Sequence, residues 1–315
     1  MTIRRNVSLA ARTWFRVGGP ARWYCEPRNA GDFREALAFA RRNAADVFAL
    51  GEGANVLVSD AGFDGLVLRP RNAAITCARS GRGHTVTAGA GAAMQAVIDH
   101  CLGAGYAGLE VFSGIPGTVG GCVYINIHYF EHLLSQFLIS ARVIDRQSGA
   151  VSEVPADWFA FGYDTSRLQR GTHLLLDATL RVRRVSATEA AYATGRRDEI
   201  IRHRERRYPC SHTCGSFFQN FTAAEVGGQR RGGAITSVAY YLDALGIKGK
   251  LRAGGAVVSH QHANMLVNTG TATAADIARL ARRMQELLRA RFGLVPRPEC
   301  QLVGFRKPPL LAPAG

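Results

Sequence analysis

The sequence predicts an α+β fold of three packed lobes, on three observations. Short strand-like runs alternate with helical spacings over the first third in a βαββ order. Two glycine-rich segments, about 60 residues apart, each leave an extended run. A strongly amphipathic helix followed by a closing strand marks a separate last lobe. The boundaries read as a two-lobed domain over 1–205, with lobes of about 1–70 and 71–205. An α+β lobe over 206–305 and a loose, proline-rich tail over 306–315 complete the chain.

In chain order, Arg22 to Glu26 reads as a strand. Ala30 to Asn43 carries Phe33, Ala36, Leu37 and Ala40 at helical spacing. Val47 to Leu50 is a strand that runs into Gly51-Glu52-Gly53-Ala54-Asn55, and Val56 to Ser59 and Gly65 to Leu68 resume extended structure. His84 to Ala88 is a strand and Ala92 to Leu102 a helix. Ser113 to Gly121 is too rich in glycine for a helix interior or a regular strand. Strands follow at Ile139 to Asp145, Val151 to Val154 and Leu174 to Arg183, then a long helix from Ala187 to about Arg206. The last third places a helix at Ile235 to Ala244 and strands at Gly254 to Ser259, Met265 to Asn268 and Cys300 to Phe305. Between them, Ile277, Leu280, Ala281, Met284, Leu287 and Leu288 make Ala274 to Phe292 the clearest amphipathic helix.

The chain has 315 residues, 47% of them apolar and 20% charged, enough for a sizeable core and too ordered in pattern for wholesale disorder. The net charge of +15 comes almost entirely from arginine. It is read either as a surface that attracts anions or as an arginine-rich composition on a solvated surface. The basic residues do not interleave with aromatics, so a nucleic-acid partner is not expected. The run Arg196 to Arg207 alternates with Asp198, Glu199 and Glu205, as an exposed helix does. Seven scattered cysteines point to free thiols in a reducing cytoplasm. Neither Cys210, Cys214 and His212 nor His260 and His262 have the further partners of a metal site, so no metal is expected. No stretch reaches the roughly 18 apolar residues that span a bilayer, so no membrane partner is expected.

Neither glycine loop is the G-x-G-x-x-G fingerprint or the P-loop. Both still have the makings of phosphate cradles, since glycines permit positive φ and let successive N–H groups converge on an anion. Taken alone, each is also an ordinary tight turn.

Longer motifs decide between these readings. Gly51 to Phe63 resembles the first pyrophosphate loop of the UDP-N-acetylenolpyruvoylglucosamine reductase family, and Ser113 to Gly121 resembles its second FAD loop. The segment Thr13 to Pro20 also resembles that family, and the likeness runs from about Asn6 to Gly304. The resemblance implies a two-lobed FAD-binding domain of the vanillyl-alcohol-oxidase type and a third lobe that closes over an anionic nucleotide-sugar substrate. FAD is then held by Gly51, Glu52, Gly53, Ala54, Asn55, Val56 and Leu57 together with Ser113, Gly114, Ile115, Gly117, Thr118, Gly120 and Gly121.

The family reaction reduces an enolpyruvyl ether, with NADPH as hydride donor and FAD as carrier. Negative charge develops on the substrate, so an acid and charge-stabilising groups are required. The resemblance assigns the acid to Ser216, in Gly215-Ser216-Phe217-Phe218-Gln219-Asn220, and the second catalytic position to Glu299. It assigns substrate contacts to Tyr163, Asn220, His262 and Asn264.

Two segments depart from the family pattern. Asp164 stands where the family has an arginine facing the substrate carboxylate, with Arg167 the nearest cation able to take over that contact. Losing one partner of a buried ionic contact costs roughly 3–5 kcal/mol, on the order of 10²- to 10³-fold in rate. After Asn126, the family's small residues lining the flavin are replaced by Ile127-His128-Tyr129-Phe130-Glu131-His132. His128 and His132 are candidates for new acid–base groups or, less simply, for covalent attachment of the flavin. The expected function is an FAD-dependent, NADPH-driven reductase. Its alternatives are a relative recruited to another small molecule, as in specialised metabolism, and a non-catalytic flavin-binding protein.

Overall fold

The computed structural model describes residues 1–81, 83–227 and 234–312. The chain divides into two compact units. One comprises Met1–Asn6, Arg22–Glu52 and Asp64–Arg204, and the other Val7–Ala21, Gly53–Phe63 and Glu205–Gly315.

The first unit is built on an antiparallel sheet in the order Val151–Pro155, Leu138–Asp145, His173–Arg184, Gly83–Gly89, Ile75–Ser80, with Tyr106–Ala107 pairing the end of the long strand. Side chains of a strand alternate between faces, and here the alternation separates two cores. Val143 and Leu175 pack with Val86, Phe112 and Leu180, while Ile144, Leu174 and Leu176 pack with Phe33, Leu37 and Leu68. Burial on both faces explains why Leu174-Leu175-Leu176 is continuously apolar. The second of these cores is completed by helix α1, Ala30–Arg42, and by the strands Pro20–Cys25, Phe63–Leu68 and Val47–Ala49. Asn29 caps α1 by accepting from the Asp32 N–H. Helix α2, Met94–Gly103, packs its Val97, Ile98 and Cys101 into the first core.

The glycine-rich stretch expected to be irregular contains a helix, α3, Val119–Ile125. Thr118 caps it by accepting from Gly121 N–H at 3.3 Å, and Asn126 ends it in the left-handed conformation at φ 51°. Gly120 and Gly121 fall in its first turn, where the cap offsets their poor helix propensity. Helix α4, Ala187–Arg207, buries only Ala193, in keeping with its charged sequence.

The second unit holds helix α5, Val238–Ala244, and helix α6, Ala274–Phe292. It also holds a three-stranded sheet (Arg252–Ala253, Ala256–Val258, Leu266–Asn268) and a parallel pair of Val56–Val58 with Gln301–Val303. Thr273 and Asp276 cap α6 reciprocally, and Gly293 at φ 72° ends it. Asp60 adds its carboxylate to the same end, accepting from Ala274 and Ala275 N–H at 2.8 and 2.9 Å. The core gathers Phe15, Leu57, Phe217, Phe218, Val258, Leu266, Ile277, Leu280, Met284 and Leu288.

Two boundaries differ from the linear reading. Val7–Ala21 and Gly53–Phe63 belong with the C-terminal unit, because Val56–Val58 pairs with the last strand and Phe15, Val17 and Leu57 join that core. The segment after Lys307 is not loose as far as it is described. Leu310 is buried and Leu311 N–H donates to Gln285 Oε1 at 2.8 Å. No helix among the described residues is long and apolar enough to cross a membrane.

Candidate functional site

The two glycine loops touch within the first unit. A Cβ on Gly51 would sit 2.7 Å from Thr118 Oγ1, the cap of α3. Gly114 and Gly117 have φ of 72° and 149°, a region few other residues enter. The loop is braced by Gly114 N–H donating to Gln95 Oε1, Arg204 Nε donating to Gly114 O, and Met94 N–H donating to Gly117 O. Gly120 approaches Ala90 closely, its N–H donating to Ala90 O at 2.9 Å. Ser113 is fully buried, yet its hydroxyl has no partner within the described protein. Ile115 is partly buried against the first core.

In the second unit Gly53 adopts φ 73°, and a Cβ there would meet Arg12 O at 2.4 Å. Trp14 N–H donates to Gly53 O at 2.9 Å. The Thr13–Pro20 segment therefore braces the first loop, whose Val56 and Leu57 are already in strand. Asn55 donates its side-chain amide to Glu299 O at 3.4 Å, while its Oδ1 is buried without a partner. Glu52 and Ala54 are partly buried. In the first unit a glycine-rich loop lies beside the buried, unpartnered Ser113 hydroxyl, and in the second another lies beside the buried, unpartnered Asn55 Oδ1; each taken by itself fits part of a polyhydroxylated, anionic cofactor such as FAD.

Ser216 and Glu299 lie on adjoining segments of the second unit. Phe217 O accepts from both Glu299 N–H at 2.9 Å and Cys300 N–H at 3.3 Å, and Gln219 N–H donates to Arg297 O. Ser216 pairs on its other side with Met265. Both Ser216 and Glu299 are partly buried.

The substrate-side residues fare differently. Asn264 is 3% exposed, and its amide spans the Phe218 backbone, accepting from N–H at 3.1 Å and donating to O at 2.7 Å. One acceptor site and one donor of its amide hold Phe218, two residues from Ser216. Asn220 Oδ1 accepts from Val238 N–H, the first residue of α5. This capping contact starts the helix three residues later than the sequence suggests. His262 Nδ1 accepts from Asn264 N–H at 3.3 Å, and its ring meets Tyr208 edge-on. Burial, and then the charge of Arg207, hold His262 below the usual histidine value.

In the first unit Tyr163 is half-exposed, at the tip of a tight turn closed by Gly162 and Thr165. Asp164 follows it at φ 53° with its carboxylate buried. The Arg167 guanidinium lies over the Trp158 ring at 4.9 Å. Among the described residues, the ion-pair partner of Asp164 is one that the sequence does not connect to it. His128 Nδ1 stands 3.4 Å from Asp164 Oδ1. No group of three or more metal-ligating side chains occurs among the described residues. Burial pushes up the thiols of Cys101, Cys122 and Cys214, and that of Cys25 to about 12.

The model of the C-terminal domain of UDP-N-acetylenolpyruvoylglucosamine reductase matches residues 207–303, and an FAD binding domain matches residues 21–154. The UDP-N-acetylenolpyruvoylglucosamine reductase of Synechococcus sp. (strain JA-3-3Ab) is 33% identical over 98% of this chain and 94% of its own length. That of Gloeobacter violaceus is 34% identical over 96% of each chain. The crystal structure of the enzyme from Thermus caldophilus superposes with a TM-score of 0.77 at 27% identity, covering 96% of this chain and 100% of that one. With both domain models and near full-length relatives in agreement, the chain belongs to the UDP-N-acetylenolpyruvoylglucosamine reductase family of FAD-dependent oxidoreductases.

Proposed function

We propose that this chain reduces the enolpyruvyl ether of UDP-N-acetylglucosamine at the expense of NADPH. The observation that carries the reading is the pairing of the Ser216 and Glu299 segments through Phe217 O, in a chain whose FAD loops are intact. Bound FAD supplies the hydride chemistry. Its contacts would come from the backbone of Gly51, Glu52, Gly53, Ala54, Asn55, Val56 and Leu57. The second loop would add Ser113, Gly114, Ile115, Gly117, Thr118, Gly120 and Gly121.

Ser216 Oγ–H would protonate the carbon next to the substrate carboxylate. A serine is a weak acid, so the transfer depends on alignment, which the Phe217 and Phe218 backbone bonds enforce. Glu299 would support the carboxyl end of the substrate. Tyr163, exposed on its turn, and His262, held below the usual histidine value by burial, would supply further polar contacts. The substrate class is a small anion.

The test separates the two halves of the reaction. Ser216→Ala should leave reduction of the flavin by NADPH intact and stop its reoxidation by the enolpyruvyl substrate. Unchanged reoxidation would remove Ser216 from the mechanism. One observation favours a second reading, a relative recruited to another small molecule: Asp164 puts a buried carboxylate where a carboxylate substrate needs a cation.

A further inference from the structure

Asp164 has the environment of a carboxylate built to hold a partner. Its side chain is 2% exposed and neither oxygen receives a hydrogen bond from the described protein. An ionised carboxylate left in that state is costly, so such groups are paired. Among the described residues, the cation-forming side chain placed against it is His128, whose Nδ1 is 3.4 Å from Oδ1 and whose side chain is 31% exposed. That distance is within ion-pair reach but not aligned as a hydrogen bond, a geometry common in ligand-free acid–base sites. The imidazole also packs on the Tyr163 ring, with centroids 4.9 Å apart.

The surroundings fix this contact. Asn126, at the end of α3, donates to Gly162 O at 3.1 Å and accepts from Ser135 N–H at 2.9 Å. It thereby ties the segments flanking the hairpin of His128–Tyr129 with His132–Leu133 to the turn that carries Asp164. Competing charges are engaged elsewhere. Glu131 pairs with His132 at 3.5 Å, Tyr129 hydroxyl meets His203 Nδ1 at 3.1 Å, Arg204 lies over Tyr129, and Arg167 lies over Trp158. The two departures from the family pattern are therefore one physical contact.

We propose that His128 and Asp164 form an acid–base dyad in which Asp164 positions the imidazole and His128, protonated, supplies the positive charge facing the substrate anion. This rests on the reductase reading above. Asp164 binds Nδ1–H, which leaves Nε2–H to donate to the substrate carboxylate and to the charge that grows on it during reduction. Asp164 is a positioning residue and His128 the group in contact. No net proton leaves His128, since the carbon is protonated by Ser216.

The experiment uses the full-length, FAD-loaded protein and two variants, His128→Gln and Asp164→Asn. Asparagine tolerates the left-handed backbone of position 164, and flavin content and NADPH reduction rate report that each variant is folded. His128→Gln should lower the rate of flavin reoxidation by UDP-N-acetylglucosamine enolpyruvate on the order of 10²-fold. Nitrogen-15 NMR of His128 above pH 8 should show the Nδ1–H tautomer in the parent and the Nε2–H tautomer in Asp164→Asn, since the amide can donate to Nδ1. A parent-like rate in His128→Gln, or a tautomer indifferent to Asp164→Asn, would overturn the dyad. If the parent itself is not reoxidised, the reductase reading fails and the dyad is decided by the tautomer alone.

Discussion

The backbone N–H of Glu299 donates to the carbonyl of Phe217 at 2.9 Å. This bond joins the residue after Ser216 to the start of the last strand, so both candidate catalytic residues move only with the same piece of backbone. The next strand residues, Gln301 to Val303, pair in parallel with Val56 to Val58 behind the first glycine loop. The spacing between acid, carboxylate and loop is thus set by sheet geometry rather than by side-chain rotamers.

Asn264 should matter for stability as much as for turnover. Its amide satisfies both backbone groups of buried Phe218. Asn264→Ala leaves both unpaired, at about 1–3 kcal/mol each. Chemical denaturation should show that loss, together with slower substrate-driven reoxidation because Ser216 is no longer aligned. A variant of unchanged stability would contradict the structural role.

Gly53 is held at φ 73° with its α-carbon facing Arg12 O. Gly53→Ala combines a strained backbone, roughly 1–3 kcal/mol, with a clash that only main-chain movement relieves. The expected outcome is a lower thermal midpoint and protein purified with substoichiometric flavin. Full flavin occupancy and an unchanged midpoint would show that the loop is more adaptable than its packing indicates.

Acid should weaken the C-terminal unit through His262. Its folded value is depressed by burial, so the unfolded chain binds a proton more readily than the folded one. The corresponding stability is fully present above the unfolded value near 6.5. It is lost as the pH falls through the lower folded value. Thermal midpoints measured from pH 8 down to pH 5 should fall less steeply in His262→Gln than in the parent. Parallel slopes would exclude His262 as the source.

Arg167 sits over Trp158. Arg167→Ala should cost about 0.5–1 kcal/mol of stability and change the reoxidation rate by less than a few-fold. A collapse in turnover with unchanged flavin reduction would place Arg167 on the substrate after all.

Local physics was legible wherever a pattern was complete within one segment. Ala274–Phe292 was bounded correctly because its apolar stripe is flanked by the Thr273–Asp276 box and by Gly293. Helix α3 was missed because its glycines read as loop, while the deciding interaction is the single hydroxyl of Thr118. Ile75–Ser80 was missed because, partly exposed along the edge of its sheet, it lacks a clear apolar alternation. Both glycine loops were visible as loops, but their meeting at Gly51 and Thr118 depends on contacts far apart in sequence. The same holds for His128 and Asp164, each noticed as anomalous. The 3.4 Å between them is a property of the fold. Asn264 was legible as a polar residue of interest, but its bonds to the Phe218 backbone depend on the fold.

Anaerobic stopped-flow absorbance on the FAD-loaded protein tests the central claim most directly. NADPH is added in stoichiometric amount to bleach the flavin, and UDP-N-acetylglucosamine enolpyruvate is then mixed in. The reductase reading predicts rapid return of the oxidised flavin spectrum, with a rate that saturates in substrate. A flavin that is reduced by NADPH and then stays bleached would contradict it, and would assign this FAD platform to a different small molecule.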